Sequence, residues 1–213
     1  MRTDVASRIT NALLPARCAG CGRAGEVVCA ACATELRRAP RLPVPPGLDG
    51  WVAALAYEGV ARELVARIKY RNQRAAVPWL AGAIVDALAT ARLVPDRDTV
   101  VGWAPASAER RRARGFDHGE LLARAVARRL DLRARALLVR APGPAQTGRT
   151  RSERRPGPPL RAARATAGPV SVLLVDDVVT TGATLAMAAA VLRRSGARRV
   201  VAATAAATPR PTG

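Results

Sequence analysis

One stretch of the chain combines carboxylates, hydroxyls and glycine in an order suited to a phosphorylated sugar. An apolar run ends in Asp176 and Asp177, and a short turn follows whose residues are Thr180, Thr181, Gly182, Ala183 and Thr184. Ligands of parallel α/β sheets bind at the carboxyl ends of strands, and the N–H groups of a helix N-terminus suit phosphate. The carboxylates repel phosphate but accept hydrogen bonds from neighbouring sugar hydroxyls. The stretch therefore predicts a ribose 5-phosphate site, and a capped strand–turn–helix with surface acids is the alternative.

Four cysteines near the N-terminus have the spacing of a structural metal site. They form two CxxC pairs, Cys18 with Cys21 and Cys29 with Cys32, separated by seven residues. Two such turns can direct four thiolates at one ion, which gives the closed tetrahedral shell of structural zinc. An iron–sulfur cluster is the competing hypothesis, while disulfides or a thioredoxin-type redox site are less compatible with a reducing compartment. We therefore predict structural Zn²⁺ bound by these four cysteines.

The apolar pattern that must position these residues alternates between strand-like and helix-like segments. Strands are predicted at 51–57, 99–103, 136–140, 170–175 and 198–203, and helices at 2–14, 60–69, 76–90, 117–130 and 183–195. This alternation predicts an α/β fold with a mostly parallel sheet flanked by helices, preceded by a small N-terminal zinc module. Long connections at 104–116 and 141–169 are expected to be functional or disordered.

Proline content and local composition suggest a division of the chain into four parts. Residues 1–38 are assigned to the N-terminal helix and zinc-binding module, 39–50 to a Pro-rich linker, 51–207 to the α/β domain and 208–213 to a flexible tail. No apolar run is long enough to span a membrane, and charges at Arg2, Asp4 and Arg8 argue against a secretory signal. A cytoplasmic protein is expected.

The formal net charge of +19 is concentrated in the middle of the chain. Residues 110–164 contain 16 arginines and four acidic residues, a local net charge of +12. Such a density suits pyrophosphate or a nucleic-acid backbone, although an arginine-rich surface of purely compositional origin is an open alternative. Lys69 is the only lysine among 35 basic residues.

The segment around Asp176 and Thr181 resembles the phosphoribosyl-diphosphate (PRPP) motif of type I phosphoribosyltransferases. Together with the cysteine cluster and the Arg114-Gly115-Phe116 segment, the chain from about residue 10 to 207 resembles the ComF/GntX-type family. Asp117 and His118 stand where that family usually has Asn and Gln. Asp117 with Glu120 is predicted to begin a helix as a capping box, and His118 is expected to be a surface or capping residue without an acid–base role.

The resemblance implies roles for particular residues. Asp176 and Asp177 would be the catalytic residues that contact the ribose hydroxyls, the residues from Thr180 to Thr184 would hold the 5-phosphate, and Mg²⁺ would accompany PRPP. The pyrophosphate would contact Lys69, Ala104, Pro105 and Arg114, with an ordinary surface lysine as the alternative for Lys69. Segments 145–149 and 151–155 would form a mobile flap.

Two functions follow from the resemblance. The first is Mg-dependent binding of PRPP, with transfer or recognition of its phosphoribosyl group. The alternative is a non-catalytic competence or DNA-uptake protein that binds nucleic acid through its arginine-rich surface, with partners in DNA processing and a regulatory PRPP site. A purely structural zinc adaptor would leave the carboxylate site unexplained. The acceptor base and the oligomeric state stay open.

Overall fold

The protein folds around a five-stranded parallel sheet whose strand order is β1-β7-β6-β2-β3. A computed structural model describes residues 17–71, 74–107, 111–112, 115–140, 160–163 and 170–209. The strands are β1 (Gly50–Ala56), β2 (Val100–Trp103), β3 (Arg133–Ala134), β4 (Leu138–Arg140), β5 (Leu160–Ala162), β6 (Ser171–Val179) and β7 (Arg199–Ala207). The helices are α1 (Ala30–Glu35), α2 (Gly59–Arg71), α3 (Val77–Thr90), α4 (His118–Leu130) and α5 (Ala183–Arg194), with a 3-10 turn at Arg74–Ala76. The predicted α/β class with a mostly parallel sheet flanked by helices is confirmed.

Side chains of the central strand alternate between two apolar layers, as the pleat of a strand requires. Leu173 and Val175 face α2, α3 and α4, whereas Val172 and Leu174 face α5 and the β4–β5 pair. All four are almost fully buried. A strand covered by helices on both faces reads as a continuous apolar run, which is why this segment was recognisable from sequence.

Two of the sequence predictions need correction in detail. The strand predicted at 136–140 is shorter, and it pairs antiparallel with β5 outside the main sheet, while the two-residue β3 takes the edge position beside β2. The central strand was expected to end at Val175, but it continues to Val179 because β7 remains paired with it as far as Ala207. Asp176 and Asp177 therefore lie within a strand and not after one.

The proline-rich segment packs along the α/β layer. The Ala39 N–H bonds the carbonyl of Ala54 on β1, and Asp49 accepts a hydrogen bond from the Val200 N–H on β7. Arg193 on α5 pairs with the Asp49 carboxylate. Although burial opposes it, the Val200 N–H and the Arg193 charge lower the pKa of Asp49. The four-part division of the chain stays a prediction, but residues 39–49 make hydrogen bonds to both β1 and β7.

None of the described helices is long and apolar enough to cross a membrane.

Candidate functional site

Two adjacent carboxylates project from β6 near the carboxyl edge of the sheet. Successive residues of a strand point to opposite faces, so Asp176 and Asp177 diverge. Burial raises the pKa of Asp176 to about 7, and the neighbouring Asp177 charge acts in the same direction. The N–H of Asp177, 2.9 Å from Asp176 Oδ1, and the charge of Lys69 oppose this rise without cancelling it. Asp176 therefore holds its proton to a higher pH than an exposed aspartate does.

Asp177 is enclosed by a lysine and a histidine from two different helices. Lys69 Nζ on α2 lies 2.8 Å from Asp177 Oδ1, and His118 Nε2 at the start of α4 lies 3.8 Å from Oδ2. The three side chains are each less than one-fifth exposed. Phe116 makes an edge-on contact with the His118 ring, and Arg74 lies over the Phe116 ring at 4.5 Å. The expectation that His118 is a surface residue is wrong, because it is buried against the carboxylate.

The turn after β6 presents backbone groups at the start of α5. Gly182 occupies the N-cap position with φ of +79° and, having no side chain, makes no cap hydrogen bond of its own. Thr180, Thr181 and Thr184 are exposed, and the Thr181 hydroxyl accepts a weak hydrogen bond from the Ala183 N–H at 3.4 Å. Unpaired N–H groups and the positive end of the helix dipole favour an anion here. The predicted residues lie at the turn between β6 and α5, and phosphate binding there stays a prediction.

A buried proline from the N-terminal segment braces this turn. A Cβ added at Gly182 would lie 3.0 Å from Pro45 Cγ and 3.4 Å from Pro45 Cβ. Gly182 therefore satisfies two demands, a left-handed backbone and a close approach to Pro45. Pro45 is buried although its neighbours Val44 and Pro46 are exposed.

The loop after β2 lies beside the carboxylates. Trp103 pairs with Val175 in the sheet, so Ala104 and Pro105 leave β2 next to Asp176. The buried Asp117 fixes this loop: its Oδ2 accepts the Ala106 N–H at 2.8 Å, while Oδ1 accepts the Gly119 and Glu120 N–H groups of α4. Arg140 Nε donates to the Pro105 carbonyl at 2.7 Å.

Asp117 thus performs the capping predicted from sequence and adds an unforeseen contact with the loop. Glu120, the other expected member of the capping box, pairs instead with Arg124 one turn along the helix.

The structure shows where most of the predicted site residues lie. Lys69 contacts Asp177, Ala104 and Pro105 follow the end of β2 on the strand next to β6, and Thr180–Thr184 joins the end of β6 to the start of α5. Arg114, the flap segments 145–149 and 151–155, and the predicted helix at 2–14 lie outside the described residues. Sequence reasoning missed His118 and Pro45 because their importance depends on contacts with residues 59 and 137 positions away along the chain.

The four cysteines form a second cluster whose geometry suits a tetrahedral metal. Their sulfur atoms all lie within 4.8 Å of one another, and Cys21 Sγ and Cys29 Sγ are 3.8 Å apart. A tetrahedron with metal–sulfur bonds of about 2.3 Å has edges of about 3.8 Å, so the spacing fits zinc. All four thiols are free, and the 3.8 Å separation is far too long for a disulfide between Cys21 and Cys29.

The pKa values of Cys18 and Cys32 also favour a bound cation in this cluster. Burial opposes ionisation of Cys18, but N–H groups from Cys29, Cys21 and Gly20 lower its pKa to about 6. Burial and contacts with the other three sulfurs raise the pKa of Cys32 to about 12. One thiolate therefore forms readily, while the whole set ionises only if a cation balances the charge.

The cysteine cluster is packed directly on helix α2. Cys18, Cys32 and Val28 belong to the same buried apolar cluster as Leu64 and Val65 of α2. Arg67 Nη2 donates to the Gly20 carbonyl at 3.3 Å, and a Cβ at Gly20 would lie 2.7 Å from Cys32 Sγ. The cluster thus supports the helix that carries Lys69.

Comparison with known proteins finds a family model that matches the C-terminal part of the chain. Residues 117–213, which contain both carboxylates and the phosphate turn, match the phosphoribosyl transferase domain model. No curated protein sequence matches the chain.

Three solved structures are similar to the chain at low identity. The glutamine PRPP amidotransferase from B. subtilis, complexed with ADP and GMP, is 19% identical over 62% of this chain and 26% of that chain, with a TM-score of 0.44. The PRPP synthetase from Mycobacterium smegmatis is 22% identical over 61% of this chain and 33% of that chain, with a TM-score of 0.33. The purine phosphoribosyltransferase from Pyrococcus horikoshii Ot3 is 19% identical over 64% of this chain and 76% of that chain, with a TM-score of 0.39.

The chain spans only a quarter to a third of the length of the first two proteins. The fold assignment therefore rests on the sheet topology and the family match. The sheet topology shows an α/β fold, and the region that matches the phosphoribosyl transferase domain model begins at the cap of α4 and includes β6 and the turn into α5.

Proposed function

We propose that this protein binds PRPP at the carboxyl edge of β6 and transfers or recognises its phosphoribosyl group. The observation that carries the proposal is the position of the Asp176–Asp177 pair directly before the turn into α5, inside the region that matches the phosphoribosyl transferase family. Carboxylates that diverge from one strand can accept hydrogen bonds from sugar hydroxyls, while the turn that follows, from Thr180 to Thr184, presents N–H groups to a phosphate.

Each part of the ligand has a complementary region in the protein. The ribose 2- and 3-hydroxyls would donate to Asp176 and Asp177. The 5-phosphate would bind at Thr180–Thr184, where the helix dipole is favourable. The pyrophosphate would lie between Lys69 and the Ala104–Pro105 loop, with Arg114 as a further ligand implied by the family resemblance.

The reaction suited to this site breaks the bond between C1 of the ribose and the pyrophosphate oxygen. Pyrophosphate leaves with the bonding electrons, C1 develops positive charge, and a nucleophilic acceptor forms the new bond to C1. The protein's tasks are to hold the sugar by its hydroxyls, to neutralise the leaving anion with Lys69, and to stabilise charge in a partly desolvated site. The carboxylate oxygens near the pyrophosphate position suit Mg²⁺, which when bound supplies positive charge to the leaving group.

We further propose that the four cysteines bind one structural zinc ion. The tetrahedral spacing of the sulfurs and the lowered pKa of Cys18 support this assignment. Four protein ligands leave no coordination position for substrate, so the ion would stabilise the fold and not take part in chemistry. The nucleic-acid alternative, with its DNA-processing partners, stays a prediction of the sequence, since the family match bears on phosphoribosyl transfer.

Calorimetry with PRPP and Mg²⁺ tests the main proposal. We expect binding by the wild-type protein and a loss of about tenfold to a hundredfold in Asp177→Asn, because one charge-assisted hydrogen bond is removed. Glu63→Gln is a matched control, since Glu63 is a half-exposed carboxylate on α2 whose ion pair with Arg67 is long, at 3.9 Å. No binding to folded wild-type protein would refute the proposal. Pyrophosphate release across a panel of bases would then separate transfer from recognition.

A further inference from the structure

The Asp177 carboxylate, which the proposed function assigns to the ribose hydroxyls, is already engaged by Lys69. The 2.8 Å separation of Lys69 Nζ and Asp177 Oδ1 makes this a short, well-formed ion pair. Exposures of 18% for Lys69 and 17% for Asp177 distinguish it from surface pairs, whose contribution is small and screened by salt. His118 faces the second oxygen, so both oxygens of Asp177 have a nitrogen neighbour.

The surroundings make separation of Lys69 from Asp177 unfavourable unless each side chain gains a new charged or hydrogen-bonding partner. The pair borders a small pocket whose remaining lining is apolar apart from His118. The apolar side chains are those of Val65, Ile68, Val77, Leu80 and Leu122. In such a setting, removing one partner of an ion pair leaves a buried charge without compensation, which is strongly destabilising.

PRPP carries a replacement for each partner. Its pyrophosphate is an anion for Lys69, and its ribose hydroxyls are donors for Asp177. Ribose 5-phosphate carries the hydroxyls and the 5-phosphate but has no anion at C1, so its binding would leave Lys69 without a counter-charge. The two ligands therefore differ in what they offer Lys69, over and above the direct contacts of the pyrophosphate.

We propose that Lys69 moves from Asp177 to the pyrophosphate when PRPP binds, and that this transfer makes the site selective for ligands with a pyrophosphate at C1. The inference rests on the proposed function and deepens it. Lys69 becomes a positioning and specificity-determining residue: it withholds Asp177 from a sugar that lacks the pyrophosphate and releases it to one that has it.

The side-chain type supports a mobile role. Lys69 is the single lysine in a chain with 34 arginines. A lysine carries a compact charge on a flexible four-carbon stem, whereas the guanidinium of arginine is a rigid planar fork that favours one fixed bidentate geometry. Lys69 lies near the end of α2, at the same edge of the sheet as the Ala104–Pro105 loop. Asp177 and the proposed pyrophosphate position are therefore on the same side of the molecule.

The transfer predicts opposite effects of one substitution on two ligands. In Lys69→Met, which keeps the length of the side chain and removes its charge, PRPP affinity should fall by about tenfold or more because a charge-assisted contact is lost. Affinity for ribose 5-phosphate should rise severalfold, because Asp177 no longer has to leave an ion pair. Arg62→Met is the matched control: Arg62 is an exposed cation on the same helix, and both affinities should stay close to wild type.

The experiment is calorimetry of wild type, Lys69→Met and Arg62→Met with each ligand in the presence of Mg²⁺. One-dimensional NMR of the ring protons of His118, the only histidine, reports independently on the surroundings of Asp177. A thermal unfolding curve establishes that each variant is folded, and Lys69→Gln replaces Lys69→Met if the latter is not.

Each outcome decides the matter. A lower PRPP affinity with a higher ribose 5-phosphate affinity supports the transfer. Equal losses for both ligands, or an unchanged affinity for ribose 5-phosphate, would show that Lys69 is a fixed electrostatic contact and overturn it while leaving PRPP binding intact. Absence of PRPP binding to the wild type would overturn the proposed function and the transfer together.

Discussion

The substitution Gly182→Ala tests whether the proline-rich segment braces the phosphate turn. Gly182 has φ of +79°, a conformation that costs an L-residue about 1–2 kcal/mol. The added Cβ would also lie 3.0 Å from Pro45 Cγ, and inserting a methyl group into a close-packed contact costs typically about 1–3 kcal/mol. We therefore expect the free energy of unfolding to fall by about 2–5 kcal/mol, the sum of these two terms.

Two further variants separate the backbone effect from the contact. Gly115 has φ of +74°, and a Cβ there would meet nothing within 4 Å among the described residues, so Gly115→Ala measures the backbone effect. Pro45→Ala removes Cγ and leaves only Cβ, 3.4 Å from the new methyl group. In the Pro45→Ala background, Gly182→Ala should cost about as much as Gly115→Ala, and a double-mutant cycle should give a coupling energy of about 1–3 kcal/mol.

Urea denaturation at constant slope gives these free energies, and calorimetry with PRPP gives the consequence for binding. Since Pro45 contacts the turn at Gly182, Gly182→Ala should weaken PRPP binding through its 5-phosphate. The account is wrong if Gly182→Ala destabilises the protein no more than Gly115→Ala, or equally in both Pro45 backgrounds.

Two other predictions concern the carboxylate pair and the cysteine cluster. Because the pKa of Asp176 is raised from 3.8 to about 7, the folded protein retains a proton that the unfolded chain has released, and the free energy of unfolding should fall as pH rises from 3.8 to about 7. Asp176→Asn should remove this pH dependence of the unfolding free energy, and it should be more stable than wild type at pH 8 while binding PRPP more weakly. An unfolding free energy that depends on pH in the variant as it does in the wild type would contradict this. Elemental analysis of anaerobically purified protein should find one zinc per chain and none in Cys21→Ser, whereas iron with sulfide would refute the assignment. Because Cys18 and Cys32 pack against α2, chelation should also lower the unfolding free energy of the α/β layer and loosen Lys69, with a measurable loss of PRPP affinity.

The sequence predicted the fold where periodicity and burial coincide. The helices at 60–69, 76–90, 117–130 and 183–195 match α2 to α5 within two residues at each end. The short β3 and β5 were missed because two or three residues carry no period, and the strand at 136–140 was assigned to the wrong sheet because partner choice depends on distant segments.

The candidate site was predictable as a list of residue types but not as a set of contacts. The order of Asp176, Thr181 and Gly182 along the chain indicates a strand, a turn and a helix start, which is local information. The pairing of Lys69 with Asp177 and the contact of Pro45 with Gly182 join segments more than 100 residues apart. Such contacts depend on how the layers pack. The proline-rich composition of 39–50 favoured an extended linker, and only the structure shows that Pro45 in this segment is buried.

The two carboxylates lie inside a paired strand, which holds them in well-defined positions. Aspartate is disfavoured in strands, and two adjacent carboxylates on a buried strand repel each other, so local preference alone would end β6 at Val175. The strand continues because the neighbouring backbone of β7 keeps pairing with it, Asp176 opposite Thr204 and Val178 opposite Ala206. Groups on a paired strand are held more precisely than groups on a loop. Burial raises the pKa of Asp176 and the charge of the adjacent Asp177 adds to that rise, and a sugar that donates hydrogen bonds to both carboxylates would relieve part of the repulsion between them.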